Sequence, residues 1–269
     1  MTPRPDISHV IFDFDGTLSW LRHGWPQLMA SIFRQYFPMR SGETEEQFLD
    51  LQLSDILSRN GQPTIFQMMR FCERVQERRG TCPEPETLRR EYQNRLDGLI
   101  AERTARIRRG QSRPDDFVVH GGRALLERLR GRGLRLIILS GTRQDRVLEE
   151  SDMLQLTPYF GSHIYGSGMD PSQFSKRDVI ARLMREENIS GSRLLSFGDG
   201  PVEIRETKAV GGVAIGVASD EENNGSGVPD RWKARQLSEA GADALIADFR
   251  DPDHLLAAIC GAPRNSSHA

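Results

Sequence analysis

The first apolar run of the chain ends in Asp13-Phe14-Asp15-Gly16-Thr17. Side chains alternate along a strand, so Asp13 and Asp15 leave it on the same side. Two carboxylates so close repel unless a hard cation joins them. Mg2+ binds through one or two carboxylates together with water and phosphate oxygens. One acid could then attack an electrophile while the other moves protons. An Asp-Gly turn with two incidental acids is the bland alternative. Four fixed positions at a strand end make it the poorer one.

Three more groups could join such a site. The apolar run Leu136-Ile137-Ile138-Leu139 stops at Ser140 and Gly141, and a hydroxyl with the N–H groups after it can hold a phosphate oxygen. Lys176 follows Ser175 at the start of a helical pattern, where an ammonium could neutralise a transferring phosphoryl group. Asp199, in Phe197-Gly198-Asp199-Gly200-Pro201, is placed as a metal ligand, and Glu203 falls one helical turn later on the same side. Taken singly, each is equally an ordinary turn or helix start. Lysine is scarce here: 33 of the 36 basic residues are arginine, and only Lys176, Lys208 and Lys233 are not. A compact ammonium at Lys176 therefore gains a little weight.

The elements that must position these groups follow from the hydrophobic pattern. Apolar runs of strand length lie at 9–15, 134–140, 193–197, 213–218 and 244–247, with a weaker one at 163–165. Several are continuously apolar, as parallel strands covered on both faces require. Helical patterns separate them, at 123–130, 176–187, 202–209, 232–240 and 252–260. The alternation predicts a doubly wound, Rossmann-like α/β sheet. Residues 19–116 differ. Their apolar residues recur at helical spacing, so four or five helices are expected there as a separate unit, with 1–18 and 117–269 forming the α/β core. Residues 219–230 read as a mobile polar loop, and the tail from Gly261 as a frayed end.

In this order, each at a strand exit or helix start, the four groups resemble the haloacid dehalogenase superfamily of phosphatases. The resemblance implies that the strand carrying Asp13 lies between those carrying Ser140 and Asp199. It implies Asp13 as the nucleophile that becomes phosphorylated, and Asp15 as the acid that protonates the leaving oxygen and then activates water. Asp13, the backbone carbonyl of Asp15 and Asp199 are the implied Mg2+ ligands, and Ser140, Gly141 and Lys176 the implied phosphate binders. Glu203 stands where the family often has a second Asp. The helical insertion after the first motif is similar to the caps of phosphoglycolate phosphatases and β-phosphoglucomutases. A cap would shield the phospho-aspartate and dry the site.

Cap residues should then select the substrate. Arg22 and His23 follow the first motif closely. Gly61-Gln62-Pro63-Thr64 opens a helix, whose free N–H groups, with Thr64 and Gln67, could meet a polar ligand. The expected substrate is a small phosphomonoester, such as a sugar phosphate. A phosphomutase of the β-phosphoglucomutase type and a non-catalytic aspartyl-phosphate switch are the alternatives. The cap has no lysine and Asp15 is present, which argues against a phosphonate hydrolase and a dehalogenase.

Composition sets the remaining expectations. The formal net charge is −2, so nucleic acid is not the default partner. No apolar run reaches the roughly 18–20 residues of a membrane span, and residues 1–8 carry no secretory pattern. Cys72, Cys82 and Cys260 lack metal-ligand spacing and read as reduced thiols of a cytoplasmic protein.

Overall fold

The computed structural model describes residues 2–60, 62–168 and 174–261. Six parallel strands form one sheet in the order β3-β2-β1-β4-β5-β6. They are β1 (His9–Phe12), β2 (Arg135–Arg143), β3 (Ile164–Ser167), β4 (Leu194–Gly198), β5 (Val213–Val217) and β6 (Ala244–Ile246). The chain enters at β1, builds β2 and β3 on one side, then returns to lay β4 against the other side of β1. That reversal is a topological switch point, and open α/β sheets bind ligands beyond the C-terminal ends of the strands on either side of it, here β1 and β4. Phe12 is level with Ile138 on one side and Phe197 on the other. Asp13, Ser140 and Asp199 therefore leave the sheet at the same edge.

The sheet is fixed from both faces. Phe12 stacks on Phe197 with centroids 5.0 Å apart and meets Phe160 and Phe249 edge-on. Such pairs contribute about 0.5–1.5 kcal/mol each beyond their buried area. The covering helices are α5 (Gly122–Gly131), α6 (Gln144–Met153), α7 (Thr157–Phe160), α8 (Lys176–Glu186), α9 (Pro201–Ala209), α10 (Arg231–Glu239) and α11 (Pro252–Cys260).

Among the described residues, four α-helices stand between β1 and α5: α1 (Trp25–Arg34), α2 (Glu45–Leu57), α3 (Ile65–Glu77) and α4 (Pro85–Arg108). They bury their own apolar cluster, in which Phe33 stacks on Phe71 at 4.0 Å and Met29, Ile56, Met68 and Leu88 pack around them. The methionine stripe is thus core. At α2, Thr44 and Gln47 form a reciprocal cap of the first turn. No helix among the described residues is long and apolar enough to cross a membrane.

Two expectations are corrected. Cys72 and Cys82 are not free thiols: they form a disulfide, their Cα atoms 5.5 Å apart, and only Cys260 of the three is free. Cys72 lies on the buried face of α3, and the chain doubles back before α4, which brings Cys82 to it. Their ten-residue separation carries no such signal. Residues 219–230 are not a loose loop. Ser219 and Glu221 are buried, and Asn224 bonds His120 N and Val118 O. Residues 262–269, expected as a frayed tail, and Gly61, expected at a helix opening, lie outside the described residues.

Candidate active site

The turn after β1 is built around Gly16, whose φ of +74° suits glycine. A Cβ there would stand 2.1 Å from Asp199 Oδ2, so any larger residue would displace that carboxylate. Asp13 N donates to Phe197 O at 2.9 Å, which ties the Asp13 backbone to β4. Lys176 opens α8, capped by Ser175, whose Oγ accepts from Asp178 N. Its Nζ donates to Asp13 Oδ1 at 2.8 Å and also to Glu203 Oε1. Gly198 and Gly200 leave room for Glu203: Cβ atoms on them would crowd its side chain. Ser140 is buried, and its Oγ accepts from Thr142 N at 3.1 Å; Gly141 is exposed beside it.

The structure thus gathers Asp13, Asp15, Lys176, Asp199 and Glu203 into one cluster, and it adds residues that no sequence pattern singled out. Thr142 Oγ1 donates to Asp15 Oδ2 at 2.7 Å. Glu150, on α6, binds Arg22. Lys233, on α10, is fully buried; its Nζ lies 3.1 Å from Asp199 Oδ2, pairs with Glu221 and donates to Ser219 Oγ at 3.0 Å. Each of the three aspartates therefore has its own cation, and each cation a second buried acid: Asp13 with Lys176 and Glu203, Asp15 with Arg22 and Glu150, Asp199 with Lys233 and Glu221. Among the signals, only lysine scarcity could have pointed to Lys233.

The expected substrate residues are placed as follows. Arg22 reaches Asp15 and Glu150. Gln67 is buried and donates to Ile56 O at 2.9 Å, joining α3 to α2. Thr64 precedes α3 and accepts the N–H groups of Gln67 and Met68 on its carbonyl. His23 stacks on Trp20 at 3.5 Å with its Nδ1 on Trp20 O. From the helical unit, Asn60 Nδ2 donates to Asp199 O at 3.3 Å, so the α2–α3 connection rests on the turn after β4.

His23 makes folding pH-dependent. Burial, opposed by the bond to Trp20 O, lowers its pKa from 6.5 to about 4. Between those values the unfolded chain binds a proton that the folded chain refuses. This stability is complete above pH 6.5 and is lost as pH falls toward 4, by on the order of 1–2 kcal/mol after allowance for solvent screening. His23→Phe keeps the stacked ring and has no proton to bind. Urea denaturation at pH 7 and pH 4.5 should show a smaller drop for the variant than for the parent; equal drops would contradict this.

Charge describes what the cluster lacks. Its network of ion pairs carries six carboxylates and three cations. Burial, with Asp199 and Asp15 nearby, raises the Asp13 pKa to about 6 against the opposing pull of Lys176. Burial also raises that of Asp199, against Lys233. Among the described residues, Glu203 Oε2 is buried without a hydrogen-bond partner. Among the described residues no three His, Cys, Asp or Glu side chains are grouped to hold a metal ion, but the hard oxygen donors and excess negative charge at Asp13 and Asp199, with a backbone carbonyl beside them, suit a small divalent cation.

The family model of haloacid dehalogenase-like hydrolases matches residues 7–211. The chain belongs to this family. Among solved structures, a conserved haloacid dehalogenase-like protein of unknown function from Agrobacterium tumefaciens is 20% identical, with a TM-score of 0.63 over 94% of this chain and 98% of that one. A haloacid dehalogenase family hydrolase from Deinococcus radiodurans, with bound phosphate and sodium, is 17% identical, with a TM-score of 0.60 over 94% and 96%. CbbY from Rhodobacter sphaeroides, in complex with xylulose 1,5-bisphosphate, is 18% identical, with a TM-score of 0.56 over 91% and 96%. No curated protein matches the chain. The sheet, the inserted helices and the family assignment agree with the sequence reading of a Rossmann-like hydrolase of this superfamily.

Proposed function

We propose that the protein is a Mg2+-dependent phosphatase that hydrolyses a small phosphomonoester through an aspartyl-phosphate. The observation that carries this reading is the buried contact of Asp13 with Lys176, at the sheet edge that also holds Asp15 and Asp199. Asp13, the Asp15 carbonyl and Asp199 would hold the Mg2+. When bound, it supplies positive charge to the phosphoryl oxygens.

An Asp13 carboxylate oxygen attacks phosphorus, and the bond from phosphorus to the ester oxygen breaks. Asp15 gives its proton to that leaving oxygen. Asp15 then takes a proton from water as the water attacks the phospho-aspartate, which frees Asp13 and inorganic phosphate. Lys176 donates to the phosphoryl oxygens while holding Asp13 in line. Ser140 and the N–H of Gly141 bind a further oxygen. With its pKa near 6, Asp13 is mostly ionised at neutral pH. The unit spanning residues 19–116 acts as the cap, a reading supported by the bond from Asn60 Nδ2, between α2 and α3, to Asp199 O. Thr64, at the head of α3, is the expected substrate residue nearest that edge in sequence.

A panel of phosphorylated metabolites tests this. Phosphate should be released from at least one sugar or small alkyl phosphate with Mg2+ present, and release should stop on chelation. A putative β-phosphoglucomutase from Thermotoga maritima is also similar in fold, 20% identical with a TM-score of 0.54 over 93% of this chain and 97% of that one, and that likeness keeps a phosphomutase in view. Isomerised sugar phosphate without free phosphate would favour it over the hydrolase.

A further inference from the structure

The acid/base residue is gripped at both oxygens. Asp15 Oδ1 accepts from Arg22 Nη1 at 2.5 Å, and Oδ2 accepts from Thr142 Oγ1 at 2.7 Å. Arg22 is gripped in turn. Its Nη2 donates to Glu150 Oε1 at 2.8 Å, and its Nη1 donates to Oε2, so the pair is bidentate. The backbone on either side is pinned from α4, where Arg103 Nη1 donates to Leu21 O at 2.5 Å and His23 O at 3.0 Å.

Glu150 is an odd residue for its position. It lies on the buried side of α6 with Val147 and Ser151, its side chain 4% exposed. Burial raises its pKa, and Arg22 opposes the rise. A buried ion pair is seldom retained for stability, since apolar residues of similar size serve as well or better. What this one provides is a guanidinium fork in a single orientation. A carboxylate has about four lone-pair positions, and Arg22 and Thr142 take one on each oxygen. The rest keep a defined direction only while Arg22 does.

We propose that Glu150 is a positioning residue for proton transfer: by locking the Arg22 fork it fixes the rotamer of Asp15 relative to the leaving oxygen. This rests on the phosphatase reading, in which Asp15 handles that proton. The consequence is selective. An alkoxide leaving group needs a well-aimed acid, whereas a nitrophenolate leaves without one.

The test compares phosphate release from an alkyl phosphate and from p-nitrophenyl phosphate in the parent protein and in Glu150→Gln. We expect kcat/KM, which reports the step in which the ester oxygen leaves and not the later attack of water, to fall roughly 10–100-fold for the alkyl ester. For the nitrophenyl ester kcat/KM should fall less than about threefold. Should Glu150→Gln not fold, Glu150→Asp keeps the charge beside Arg22 and shortens its reach by one methylene, which loosens the bidentate pair. The same selective loss is expected of it. An equal loss of kcat/KM on both esters, or an unchanged ratio between them, overturns the proposal while the phosphatase reading stands. A parent protein that releases phosphate from neither ester overturns that reading and the proposal with it.

Discussion

Replacing Asp13 by Asn should abolish phosphate release, by at least about 10⁴-fold in kcat, while leaving the fold intact. The amide has the size of the carboxylate, and its oxygen can still accept from Lys176 Nζ, which lies 2.8 Å from Asp13 Oδ1. It cannot attack phosphorus. The expected effect on stability is the opposite of the usual one. Asp13 is buried beside Asp199 and Asp15, and its carboxyl is pushed up to about 6 in consequence. Removing one charge from a crowded group of acids relieves repulsion, so thermal stability should stay level or rise by a few degrees. Phosphate release and a thermal melt on the same preparation check both parts. Activity within tenfold of the parent would remove Asp13 from the chemistry. A collapsed melt would show that the carboxylate is needed for the fold instead.

The second large effect belongs to Lys176, whose side chain is 4% exposed between Asp13 and Glu203. Lys176→Met keeps most of the stem and deletes the ammonium. Two buried carboxylates then face each other without their shared cation, and a loss of about 3–5 kcal/mol is expected. Activity should fall about 10³-fold, because the group that offsets phosphoryl charge is gone. The pair Lys176→Met with Glu203→Gln separates the two roles. Removing the second charge should restore much of the stability and none of the rate. Recovery of turnover in the pair would mean that the ammonium serves Glu203 alone.

Much of this arrangement is legible from sequence. The strands carrying Asp13, Ser140 and Asp199 are buried on both faces and read as unbroken apolar runs, so their ends could be placed to within a few residues. The pattern gave less where a helix carries a polar residue inward. In α6, Glu150 and Ser151 sit on the buried face beside Val147, which breaks the apolar periodicity. No helix is evident there, and no site residue with it. The Arg22–Glu150 contact spans 128 residues, and the Lys233–Asp199 contact joins α10 to the turn after β4. Such pairs depend on the finished sheet order and leave no local trace. Arg22 follows the first motif closely, which places it near the entrance; the structure adds its pairing with Asp15 and with Glu150, a partner that only the fold supplies.

The scarcity of lysine has a practical side. Lys176 and Lys233 are buried at the sheet edge that holds Asp13 and Asp199, whereas the Lys208 side chain is 34% exposed, beside Asp243 at the far end of α9. Amine-directed reagents thus meet a single accessible ε-amino group, roughly 10 Å along the helix axis from the Asp199 turn. Biotin, a dye or a solid support attached through it would land at one defined point and leave the opposite rim of the sheet uncovered.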